Sequence, residues 1–117
     1  MTIAANIAIG LVALLHAYFM VLEMFLWEKP LGRRAFGITP EFAAATAKLA
    51  ANQGLYNGFL VAGLVWGLVL GAEGTHVKFF FLCCVIVAGV FGAITVNRYI
   101  LFVQALPGII ALALLLP

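Results

Sequence analysis

Between Ile3 and Trp27 the chain has only two ionisable side chains, His16 and Glu23. A membrane-spanning helix needs about 20 predominantly apolar residues, and this stretch supplies them. Three further apolar stretches follow, at about 49–71, 79–96 and 101–116, the last interrupted by Pro107 and Gly108. None alternates with period two, so each reads as helix rather than half-buried strand. Backbone in a bilayer must satisfy its own hydrogen bonds, which leaves helices or a closed barrel. The expected fold is all-α: an integral membrane four-helix bundle with a short fourth helix. It forms one transmembrane domain over residues 1–117, with helices about 3–27, 40–71, 78–98 and 101–116. The overall composition agrees, at 67% hydrophobic and 9% charged, whereas a soluble domain is near half apolar and a quarter charged.

The N-terminal residues carry no basic segment before the apolar run, so the first stretch is expected to be a retained helix rather than a signal peptide. Residues 28–39, loop one, hold Lys29, Pro30, Gly32, Arg33 and Arg34 and read as a turn-rich connection. Thr39, Pro40 and Glu41 then mark a helix start: cap, first residue, acid in the first turn. Loop one and loop three, the latter centred on Asn97 and Arg98, share a side in a four-span topology, opposite loop two at residues 72–78. Together with the start of helix two they carry Lys29, Arg33, Arg34, Lys48 and Arg98, against Lys78 in loop two. The positive-inside rule places that side in the cytoplasm and both termini outside. The expected location is the membrane that bounds the cytoplasm, an inner membrane, multi-pass.

Polar residues inside the apolar stretches gather on that same side. Asn52, Gln53, Tyr56 and Asn57 enter on helix two, with two pairs spaced i, i+4. At 100° per residue they cover an arc of about 140°, wide for a single interhelical contact. Glu23 lies near the cytoplasmic end of helix one. His16 sits seven residues earlier on the same face, about 10 Å away along the axis. A carboxylate at this depth requires a partner, and Glu23 is expected within reach of helix two, with Lys48 and Arg98 as cationic alternatives. Gln104, like Arg98, flanks loop three. A cytoplasm-facing ligand pocket is expected from Glu23, Asn52, Gln53, Tyr56, Asn57, His16, Gln104 and Arg98.

Other features carry less. Cys83 and Cys84 are adjacent in an apolar run and read as small buried side chains. Gly54, Gly58, Gly63, Gly67 and Gly71 follow a close-approach spacing. They suit packing within one chain, or a face for homo-oligomers. Tyr18, Phe19, Phe25, Trp27 and Phe79 to Phe81 read as interface or lipid-facing aromatics. No metal-ligand spacing is present, and no metal or other cofactor is expected. No nucleotide-binding glycine loop or hydrolase elbow occurs. A net charge of +2 without a basic groove gives no case for nucleic acid.

Four segments together resemble a known family: 22–27 (Leu-Glu-Met-Phe-Leu-Trp), 36–42, 50–60 with its Asn-Gln-Gly-Leu-Tyr-Asn-Gly block, and 103–107. They are similar to the small bacterial membrane proteins of the domain-of-unknown-function family thirteen-oh-four. The resemblance implies a four-helix integral membrane protein and no established activity. The family's recurrent residues map here onto Glu23, Trp27, Asn52, Gln53, Tyr56, Asn57, Gln104 and Pro107.

Three functions fit the sequence. The first is binding, and with it transport, of a small or amphipathic ligand in the polar pocket, with the lipid bilayer as surroundings. The second is a membrane enzyme on a lipid-like or quinone-like substrate, with Glu23 and His16 as acid and base. The third is a structural subunit whose polar cluster is internal glue.

Overall fold

The computed structural model describes residues 2–117, so Met1 of the expected domain lies outside the described residues. Among these residues the chain is all-α, with no strand. Its α-helices are α1 (Thr2–Phe25), α2 (Pro30–Phe36), α3 (Pro40–Val69), α4 (Thr75–Thr95) and α5 (Leu106–Leu115). A 3-10 turn over Gly71–Gly74 leads into α4, and a π turn over Leu101–Ala105 leads into α5.

Loop one departs from expectation, because it contains a helix. Pro30 opens α2, where a missing N–H costs nothing. Gly37 closes it in the left-handed region at φ 64°, and the Ile38 N–H donates to the Arg33 carbonyl at 3.0 Å. This is the bond that ends a Schellman-type cap. Between them Gly32 is buried against the Leu26 carbonyl, where a Cβ would have no room. Its tight seat on the end of α1 holds a seven-residue helix that propensity alone would not sustain.

The start of α3 follows its sequence signals. The Thr39 hydroxyl accepts the Phe42 N–H at 3.1 Å, Pro40 comes next and Glu41 sits in the first turn. α3 gives way at Gly71, with φ 63°. Before α5, Pro107 has no N–H to give to a normal helical bond. The preceding turn widens, and the Leu106 N–H reaches back to the Leu101 carbonyl.

Two stretches among the described residues are long and apolar enough to cross a membrane, Ile3–Phe25 and Gly71–Thr95. α3 was expected to be a third. It is long enough at 30 residues but is not among them; Asn52, Gln53 and Asn57 offset its apolar residues. The last apolar run, Leu101–Leu115, is shorter than a span.

The chain divides into two compact units. One comprises residues up to Leu14 together with Leu60–Pro117, and the other is Leu15–Phe59. The core of the first is Ile9, Val12, Ala13, Leu64, Leu82, Val85 and Ala111. Its helices approach at glycines: Gly63 lies under the Phe81 ring, Gly67 against Lys78, Gly89 against Ala105, and Gly108 against Val85 and Ile86. In the second unit Leu22, Ala43 and Ala50 are buried, and Gly54 and Gly58 meet Met20, Glu23 and Met24. Gly54, Gly58, Gly63 and Gly67 therefore spend their small size on contacts within the chain.

Candidate functional site

Gly54 determines what happens at Glu23. A Cβ at Gly54 would stand 3.0 Å from the Glu23 Cβ and 3.1 Å from the Met20 carbonyl. Only a hydrogen there lets α1 and α3 come this close. Asn57 lies one turn along α3, on the same face, and the short approach brings its amide onto the carboxylate. Asn57 Nδ2 donates to Glu23 Oε1 at 2.6 Å. Asn57 is buried, at 8% exposure, and the bond is partly shielded from solvent. The expected contact between Glu23 and helix two is present, and its partner is a neutral amide rather than Lys48 or Arg98.

A cavity of about 320 Å³ opens beside this pair, lined by Glu23, Met24, Phe25, Trp27, Glu28, Lys29 and Ala47. Trp27 is fixed at its edge. The indole Nε1 donates to the Thr46 hydroxyl at 3.0 Å, which in turn donates to the Phe42 carbonyl at 2.7 Å. The Trp27 ring lies 4.9 Å from that of Phe36, and Phe36 also meets Phe19 at 6.5 Å. Trp27 and Phe19, expected as interface or lipid-facing aromatics, are half-buried here.

The remaining expected residues are distributed otherwise. Asn52, Gln53 and Tyr56 are exposed on α3. Asn52 Nδ2 donates to the Tyr56 hydroxyl at 3.1 Å, so these two serve each other. His16 is fully buried with its ring edge-on to Phe19, and it does not line the Glu23 cavity. Gln104 and Arg98 belong to the other unit. Gln104 Nε2 donates to the Val85 carbonyl at 3.3 Å, and Arg98 is exposed beside the Tyr99 ring. No group of three or more His, Cys, Asp or Glu among the described residues could hold a metal ion.

Sequence reasoning missed Lys78, which it left in loop two. It is buried, at 2% exposure. Its Nζ donates to Asn6 Oδ1 at 3.0 Å and to the Gly71 carbonyl at 3.4 Å. The second contact puts a cation at the C-terminal end of α3, where the helix dipole favours it. Asn6 was the available signal: an amide in an otherwise apolar turn needs a partner.

The chain is 31% identical over 114 residues to "Uncharacterized protein YpaA" of Lactococcus lactis subsp. lactis (strain IL1403). The match covers 96% of this chain and 96% of that protein. No solved structure matches the chain. Residues 10–116 match the family described as "Protein of unknown function (DUF1304)". That span includes Glu23, Asn57 and the whole cavity lining, and over it the chain belongs to the DUF1304 family.

Proposed function

We propose that this protein resides in the bacterial inner membrane and holds a small or amphipathic ligand at Glu23, with transport of that ligand as its further role. The membrane reading is supported by how little of the two apolar helices the chain itself covers. In their most apolar windows 28% and 22% of residues are buried, whereas a core helix of a soluble domain is covered on most sides. Ile3, Leu14, Val87, Phe91 and Ile94 are all more than 65% exposed, as side chains that face lipid would be. α3 and α5 complete a multi-pass bundle in this reading, with loop one in the cytoplasm and both termini outside.

The ligand reading is carried by one observation: Glu23 lines a cavity while its hydrogen-bond partner is a neutral amide. A carboxylate in an apolar setting is costly, and a buried amide compensates only part of its charge. A cavity near 320 Å³ is at the small end of ligand sites, which run from about 300 to 1,000 Å³. Transport at this chain length would call for more than one copy. With the glycine faces filled internally, self-association would use the exposed apolar faces.

Native mass spectrometry from mild detergent tests this reading and reports stoichiometry as well. The expected result is a co-purified small molecule on the wild type that is absent from Glu23→Gln, with thermal stability nearly unchanged. The same adduct on both proteins, or none on either, would replace the ligand reading with that of a structural subunit.

A further inference from the structure

The helix in loop one creates a second feature, separate from the Glu23 cavity. A groove of about 500 Å³ is lined by Pro30, Arg33, Arg34, Gly37 and Ile38. No carboxylate lines it. Both arginines are steadied through one nitrogen: Arg33 Nε donates to the Glu28 carbonyl at 3.2 Å, and Arg34 Nε to the Pro30 carbonyl at 3.4 Å. These bonds leave the two terminal nitrogens of each guanidinium to grip an outside acceptor. A guanidinium fork matches the oxygens of a phosphate, and a fork held in place loses less freedom on binding. The groove is also firmly built, because α2 is seated through Gly32 on Leu26 and through Phe36 on Trp27.

We propose that this groove binds a phosphate anion, and that its source is the headgroup of an anionic phospholipid. The inference rests on the membrane reading above but not on a ligand at Glu23. Charge complementarity selects the phosphate. The apolar residues of the same elements select the lipid: on α2, with the two arginines, Leu31 is 48% exposed and Phe36 37%, and Phe42 in the first turn of α3 is 52% exposed. That mixture suits the boundary between headgroups and acyl chains, where basic residues meet the negative cytoplasmic leaflet. A soluble phosphate compound would gain nothing from those apolar residues.

The test mixes the purified protein in mild detergent with dioleoyl phosphatidylglycerol, with dioleoyl phosphatidylcholine, or with inorganic phosphate. Retained adducts are read by native mass spectrometry and the midpoint of thermal unfolding is followed in parallel. The wild type should retain phosphatidylglycerol in preference to phosphatidylcholine and be stabilised by it. Arg33→Gln/Arg34→Gln should lower that retention roughly tenfold. Arg34→Gln alone, an exposed change that leaves α2 intact, should give a smaller loss in the same direction. Arg98→Gln removes one positive charge elsewhere and should behave as wild type. Equal retention of both lipids, or equal losses in Arg98→Gln and the arginine-pair variant, would overturn the site. Inorganic phosphate that binds and displaces the lipid would overturn the lipid as its source.

Discussion

At the scale of single residues, the pair Glu23 and Asn57 is the most informative. The reach of Glu23 toward helix two could be inferred from cost alone, since a carboxylate inside an apolar run must find a donor. Which of the four polar residues supplies it could not. That choice depends on Gly54, whose missing side chain sets the helix separation, and spacing along one helix does not reveal the partner's face. Asn52 and Tyr56 are an equally good i, i+4 pair and bond each other instead. Asn6 signalled the need for a partner, but that the partner is Lys78 was not readable for a related reason: the two lie 72 residues apart in sequence. Asn57→Leu should destabilise the protein by about 1–3 kcal/mol, because it leaves a shielded carboxylate oxygen without its donor. The double change Glu23→Leu/Asn57→Leu should recover most of that loss, since removing both partners leaves no orphaned group. Thermal unfolding of the single and double variants in one detergent measures this, and additive losses would show that the bond is not coupled.

At the scale of elements, the helices with strong local signals were readable. Thr39, Pro40 and Glu41 define the start of α3 before any contact is known, and the run from Ile3 specifies α1. α2 was not readable. Its Pro, Gly and Arg content signals a turn, and what makes it helical is the Gly32 contact with the end of α1. α3 is the mixed case: its length and the apolar residues toward its end fit a span, while the polar block of Asn52, Gln53 and Asn57 lowers its hydropathy below that of α1 and α4. Glycines matter where elements meet at backbone distance. A Cβ at Gly67 would be 2.7 Å from the Lys78 Cγ and 3.1 Å from the Lys78 backbone nitrogen. The side chain could yield but the backbone could not. Gly67→Leu should therefore cost about 1–3 kcal/mol as overpacking and lower the unfolding midpoint by several degrees. An unchanged midpoint would mean that α3 and α4 separate without penalty.

At the scale of the whole molecule, class and extent were plain from the sequence: an all-α chain matching one family over nearly its full length. In the membrane reading proposed above, the orientation rests on charge counting. Arg34→Cys in a Cys83→Ala/Cys84→Ala background should resist an impermeant thiol reagent in whole cells and react after the membrane is opened. Ready labelling in intact cells would reverse the topology and place the Arg33 and Arg34 groove on the outer face. The exposed apolar surface and the polar block of α3 act together here. α3 combines a polar first half with an apolar end, so its depth would be set by Glu23 and Asn57 as much as by hydrophobic length.

The bond from Trp27 to Thr46 has an optical consequence. The chain has two tryptophans, Trp27 and Trp66. Trp66 is 55% exposed, while Trp27 is anchored at the rim of the Glu23 cavity. A Trp66→Phe chain would thus carry one fluorophore, at the place where occupancy matters. Its emission would report an arriving molecule directly, without a label and without knowing what that molecule is.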